Sequence, residues 1–168
     1  MEYNLKSGAI FSSCRKYRYA LWRNWSESKP FVMIIGLNPS TADEKENDPT
    51  IIRCMNFAKS WGFGGVYVAN LFAYRATFPS EMKSCDDPIG KENDVWLYKL
   101  ASEAAISVAA WGNDGSYLNR SEEILGKLLN LFCIKMNKSG EPAHPLYLKS
   151  DLMPVPIRNL RRLQKSLI

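Results

Sequence analysis

The chain has 168 residues, 46% of them hydrophobic, 12% aromatic and 23% charged, which excludes a disordered or fibrous protein and predicts one globular domain over residues 1–168. No apolar run approaches the roughly 20 residues of a bilayer span, and the first 30 residues are too polar and aromatic for a signal peptide, so a cytoplasmic monomer with no membrane partner is expected. The formal charge of +5 sits at the ends: Lys6, Arg15, Lys16, Arg18 and Arg23 oppose only Glu2, and Arg158, Arg161, Arg162 and Lys165 oppose only Asp151.

In chain order, residues 9–23 partly alternate Ile10, Phe11, Tyr17, Tyr19 and Leu21 with polar residues, which predicts an antiparallel hairpin or edge strand. Phe31–Ile35 is wholly apolar and ends at Gly36, as a strand buried on both faces does. Asp48-Pro49 supplies an N-cap and a first-turn proline for a helix that Gly62–Gly65 stops. Gly65–Ala69 is a second strand. Asp87-Pro88 repeats the helix start, so Ile89–Ala104 is predicted helical, followed by a strand over Ile106–Ala110. Residues 117–130 are predicted helical and Leu131–Lys135 a fourth strand, before Pro154-Val-Pro156 and a short basic terminal helix. Alternating strands and helices imply right-handed βαβ units and a three-layer αβα sandwich on a central, mainly parallel four-stranded sheet, with the hairpin added.

Ligands of such sheets bind beyond the carboxyl ends of the strands, which selects the loops at Gly36, Asn70, Trp111 and after Lys135. The first is Gly36-Leu37-Asn38-Pro39-Ser40-Thr41-Ala42-Asp43; it is neither a Walker loop nor GxGxxG. Asn38 either bonds its own turn or presents its amide to a ligand. Asn70 either caps a strand end or reads the edge of a base with paired donor and acceptor groups. His144, the sole histidine, lies in a Pro-rich loop, either as a satisfied surface residue or as a site imidazole. Cys14, Cys54, Cys85 and Cys133 contain no CxxC, so the usual Cys/His zinc arrangements cannot be assembled and neither metal nor cofactor is expected. The basic, aromatic-rich ends suit a phosphate backbone or, equally, a solvated face.

Gly36-Leu-Asn-Pro39, Val68-Ala-Asn-Leu-Phe-Ala-Tyr-Arg75, Ala109-Ala-Trp-Gly-Asn113 and Ala143-His-Pro-Leu-Tyr147, in this order and spacing, resemble the uracil-DNA glycosylase superfamily. The fuller string Gly36–Asp43, with Asp48-Pro-Thr50, Trp61-Gly-Phe-Gly-Gly65, Arg75-Ala-Thr77 and Asp87-Pro-Ile-Gly90, more closely resembles a bacterial and phage family known as a domain of unknown function. The resemblance covers about residues 14–150. The glycosylase likeness implies excision of uracil or a modified or mismatched pyrimidine from a flipped nucleotide in DNA. It assigns Asn38 and His144 to catalysis, and Gly36, Leu37, Pro39, Asn70 and Phe72, with Tyr74 as the other aromatic candidate, to the base. Arg75, Arg161 and Arg162 would hold phosphates, and Leu146 and Tyr147 would wedge into the vacated stack. Asn38 stands where the most active branches carry an acid, and Cys14 lacks the partner that an iron–sulfur cluster requires, so no cluster is expected. A base-modifying enzyme without excision and a non-catalytic nucleic-acid binder are the alternatives.

Overall fold

The structure, a computed structural model, describes residues 6–166, the side chains of 161–165 excepted. Seven strands form one mixed sheet: β1 (Ser7–Phe11), β2 (Arg18–Asn24), β3 (Phe31–Gly36), β4 (Gly65–Asn70), β5 (Ser107–Ala109), β6 (Leu131–Cys133) and β7 (Val155–Pro156). Their order is β1-β2-β4-β3-β5-β6-β7. β4, β3, β5 and β6 run parallel, and the expected pairing of 31–35 with 65–69 is present, from Phe31 opposite Gly65 to Gly36 opposite Asn70. The sheet exceeds the expected four strands because β2 does not stop at the hairpin: it pairs antiparallel with β4 as well as β1. β7 then closes the other edge against β6.

The helices are α1 (Pro49–Ser60), α2 (Pro79–Ser84), α3 (Asn93–Glu103), α4 (Arg120–Lys127) and α5 (Ile157–Ser166). Alternation along β3 divides the core. Val32 and Ile34 face Ile51, Cys54, Phe57 and Ala58 of α1, whereas Met33 and Ile35 share the other core with Leu97 and Leu100 of α3, Ile124 of α4 and Ile157 of α5. Helices thus cover both faces. α1 begins where Asp48 caps it, with Oδ1 accepting from Ile51 N at 2.9 Å.

Two expected helices are shorter than their sequence pattern. Asp87 caps a turn, accepting from the Gly90 N–H, and Gly90 at φ +90° turns the chain so that α3 starts only at Asn93. Within 117–130, Leu118 and Asn119 adopt left-handed φ of 53° and 56°, so a 3-10 segment over Asn113–Asn119 precedes α4. α2 was not expected.

The basic ends are corrected most. Arg18 and Arg23 are 2% and 5% exposed, so neither lies on a solvated face. Arg23 donates to five acceptors, Asn47 Oδ1 and the carbonyls of Gly8, Trp22, Asp43 and Glu46, fastening the 43–47 loop to the sheet. Arg15 pairs with Glu44 at 2.7 Å. β7 is antiparallel to β6, so α5, with Arg161 and Arg162, starts where the parallel strands begin, at the end of the sheet opposite their carboxyl termini; the side chains of these two arginines lie outside the described residues. Truncating Arg23 leaves several buried carbonyls short of a donor, so Arg23→Ala is expected to lower unfolding free energy by about 2–3 kcal/mol in urea titration. A change below about 0.5 kcal/mol, the range of an ordinary surface substitution, would refute this role.

Candidate functional site

At the carboxyl ends of β3 and β4 lies a small cavity of about 40 Å³. Asn38 and His144, from two separate loops, and Asn70, the last residue of β4, all line it together with Arg18, Ser40 and Asp48. Their convergence follows from the parallel register, which sets Gly36 directly opposite Asn70. A Cβ on Gly36 would stand 2.7 Å from Asn70 Oδ1, so glycine is needed there to let the amide lie across the strand end.

Asn70 is 3% exposed, and its main-chain carbonyl accepts from Asn93 Nδ2 at 2.9 Å. The next carbonyl, Leu71, accepts from Asn93 Nδ2 and from Arg120 Nε at 3.1 and 3.0 Å. Two buried polar side chains therefore hold the strand end from the opposite face. The Asn70 Nδ2 itself is buried and without a partner, an arrangement that costs free energy unless a ligand or water accepts its hydrogens.

Asn38 is committed differently. Its Nδ2 donates to the carbonyls of Pro39 and Ala76 at 3.1 and 2.9 Å, so the amide nitrogen stabilises the turn and only Oδ1 remains to accept a hydrogen bond. Pro39 is buried, and its carbonyl also receives the Ala76 N–H. Leu37 is 9% exposed and lines the cavity.

His144 Nδ1 accepts from the Leu146 N–H at 3.3 Å, and burial lowers its pKa below the usual 6.5 despite the opposing field of Asp48. The imidazole is therefore neutral at pH 7, and because Nδ1 is an acceptor its proton sits on Nε2, which becomes a hydrogen-bond donor. Arg53 of α1 fixes this loop, donating to the carbonyls of Pro145 and Leu148.

Other expected site residues lie elsewhere. Phe72 is 0% exposed and packs its ring on Tyr117 at 5.7 Å within the α3/α4 core, so it does not line the cavity. The backbone turns after Asn70, where Leu71 N and Phe72 N donate to the Gly36 and Leu37 carbonyls, and the Phe72 ring goes to the other side of the sheet. Tyr74 packs edge-on against Tyr17. Arg75 donates to the carbonyls of Ser40 and Arg15, and its guanidinium lies over the Phe11 ring at 4.8 Å, with that of Arg15 at 3.9 Å. With Lys16 these two arginines line an open groove of about 410 Å³ that shares Ser40 with the cavity. Leu146 and Tyr147 follow His144 in a 3-10 turn, and Tyr147 is 88% exposed.

The sequence reading missed Arg18, Arg53 and the second use of Asp48. Asp48 was legible as a helix cap but not as a cavity wall, and its Oδ2 also accepts from Ala42 N at 3.3 Å. Cys54 lines the cavity with its thiol pushed up to about 12 by burial, so it is no nucleophile at neutral pH. Among the described residues no group of three or more His, Cys, Asp or Glu is placed to hold a metal ion, and no helix is long and apolar enough to cross a membrane.

Residues 18–146 match the family described as "Protein of unknown function (DUF1643)". Among curated proteins and among solved structures nothing matches the chain.

The depressed His144 pKa has a sign. The unfolded chain binds the proton near pH 6.5 while the folded one resists it, so His144 contributes stability above that pH that is lost as pH falls toward the lower folded value. Urea unfolding at pH 7.5 and pH 5 is expected to show a larger loss for the wild type than for His144→Gln. Equal losses would mean that His144 is not held neutral.

Proposed function

The chain belongs to that family, and we propose that it is a glycosylase-like hydrolase that cleaves the N-glycosidic bond of uracil or of a modified or mismatched pyrimidine flipped out of DNA, on a domain resembling the uracil-DNA glycosylases. The observation that carries the reading is the buried, unpartnered Nδ2 of Asn70 in one cavity with His144 and Asn38. A pyrimidine edge offers carbonyl acceptors to such a donor, and the Asn70 amide is assigned to read them.

When the C1′–N bond breaks, its electron pair leaves with the base and the sugar gains oxocarbenium character. The reaction therefore needs a donor at the leaving base and a placed water. His144 Nε2–H is assigned to the base: a neutral imidazole stabilises the growing anion by hydrogen bonding without having to lose a proton first. Asn38 Oδ1 and the Gly36–Pro39 backbone are assigned to hold the water whose oxygen bonds to C1′, its proton passing to solvent. Arg75, beside Lys16 in the neighbouring groove, is assigned to a phosphate, and Leu146 and exposed Tyr147 to the gap left by the flipped nucleotide. The cavity has room for about three waters at ~10–15 Å³ each, so admitting a base edge requires its walls to move on binding.

One observation favours binding without excision. Asp48 is the carboxylate in the cavity, and both of its oxygens accept backbone N–H groups, so it is poorly free to act as a base. Single-turnover release of free base from an oligonucleotide panel, including modified pyrimidines, separates the readings. Excision of at least one base is expected, slowed about a hundredfold by His144→Ala with DNA affinity nearly unchanged. Asn70→Ala should instead erode discrimination between bases. Gel-shift binding with no product from any substrate would overturn the enzyme reading in favour of the binding module.

A further inference from the structure

We propose that this cavity is built to receive a compact oxyanion, a carboxylate or phosphate carried by the substrate, seated on the guanidinium of Arg18. The proposal rests on reading the cavity as the substrate site and goes further by naming the charge of what enters.

Arg18 reaches the cavity through an irregularity of the hairpin. Ile10 pairs with Ala20 but Phe11 with Arg18, so Tyr19 is an extra residue opposite one position of β1. Such a bulge reverses the alternation and re-aims the side chain before it. Without it, Arg18 would share the side of Ala20 and Trp22, which face the α3 core; with it, Arg18 joins Ile34, Val68 and Cys54 around the cavity.

What it meets there is unusual for this chain. Arg18 is 2% exposed; Nη1 donates to the Ala42 carbonyl at 3.0 Å and Nε has no partner. Burial lowers its pKa, but only to about 10, so the cation persists at neutral pH. The other deeply buried guanidiniums are answered: Arg120 by the carboxylates of Asp94 and Glu123, Arg23 by its five acceptors. Among the described residues no carboxylate forms an ion pair with Arg18. Asp48 contributes a favourable field, but its oxygens are engaged by Ile51 N and Ala42 N.

A buried cation is ordinarily paired, because its desolvation is otherwise uncompensated. Here the missing partner has a place to go. The cavity lining adds the unpartnered Asn70 Nδ2, with His144, Ser40 and Thr50 as further hydrogen-bonding residues; the acceptors beside them are Asn38 Oδ1 and the Asp48 carboxylate, whose two oxygens are already engaged by backbone N–H groups. Size agrees: about 40 Å³ suits the two or three oxygens of one carboxylate or phosphate at ~10–15 Å³ each, and a whole ring poorly. An anionic substituent would thus lie deepest, with the ring edge above it.

Calorimetric titration of the full chain with uracil, 5-carboxyuracil, uridine 5′-monophosphate and inorganic phosphate tests this. At least one anion is expected to bind the wild type tenfold or more tighter than uracil; preference for 5-carboxyuracil or for uridine 5′-monophosphate identifies a carboxylate or a phosphate as the source. Arg18→Met should erase that preference by lowering the affinity for the anion tenfold or more, and Arg18→Lys should retain part of it. Ligand-free Arg18→Met should melt at or above the wild-type temperature, because an unpaired buried charge has been removed, and the anion should raise the melting temperature of the wild type only. If Arg18→Met does not fold, Asn70→Asp gives the second reading: its added carboxylate should abolish anion binding and leave the fold intact. Equal affinity for uracil and all three anions, no anion binding at millimolar concentration, or an Arg18→Met that binds the anion as the wild type does would overturn the proposal. Anion binding without excision of any base would overturn the glycosylase reading alone.

Discussion

The site hangs on the contact between Gly36 and Asn70. Two parallel strands in register place their last residues side by side, and at this pair one side chain is missing so that the other can lie over it. Any residue with a Cβ at 36 would meet the Asn70 amide oxygen at 2.7 Å and force the amide or the strand end to shift. The consequences spread outward. Just behind the amide, the main-chain carbonyls of Asn70 and Leu71 accept from Asn93 Nδ2, and that of Leu71 also from Arg120 Nε. Arg120 in turn draws in Asp94 and Glu123, so helices α3 and α4 are joined at the strand end that presents the amide. The donor toward the cavity is positioned from behind by a network that never touches it.

Six described arginines divide into three kinds of work. Arg23, Arg53 and Arg120 serve as fasteners, each donating to carbonyls that a loop or strand end leaves free, and a planar fork with several donors suits that task better than an ammonium. Arg15 and Arg75 share the Phe11 ring from within 5 Å; two like charges so close are tolerable because the ring face attracts both and Glu44 neutralises one. Arg18 belongs to neither class. Its free energy of burial is not offset by an ion pair, which is the condition in which a bound anion contributes most.

The parallel strands, the α1 start and the three site loops were legible in the residues because each rests on a local signal: an apolar β-branched run, an Asp-Pro cap, and polar residues directly after a strand. Length and register were not. The Asp87 start failed because an Asx turn at Gly90 uses the same residue types as a helix cap, and the helix within 117–130 begins later than expected because a left-handed pair at Leu118–Asn119 leaves no mark in hydrophobic periodicity. Phe72 was assigned to the base by the glycosylase likeness alone, and strand-end geometry sends it to the opposite core. Arg18 was hidden for the same kind of reason. A one-residue bulge inverts which face a position occupies, and nothing in Tyr17-Arg18-Tyr19-Ala20 announces the bulge, so a buried cavity cation read as one more charge on a basic hairpin.

These fastenings also decide where the cavity can widen. The loop from Leu37 to Asp48 is tied at its far part: Arg18 and Asp48 hold Ala42, and Arg23 holds the carbonyls of Asp43 and Glu46. Its near part is tied through Asn38 and Pro39 to Ala76. Between them, Ser40 and Thr41 have one side-chain hydrogen bond among the described residues, from Arg75 Nε to the Ser40 carbonyl at 3.5 Å, the long limit of such a bond. The His144 loop on the other side is held by Arg53 at two carbonyls. The least restrained stretch is therefore Ser40–Thr41, and its Ser40 lines both the cavity and the groove of Arg15, Lys16 and Arg75. Under the proposed function, this lip is where an entering ligand would meet the least resistance, next to the cations of the groove.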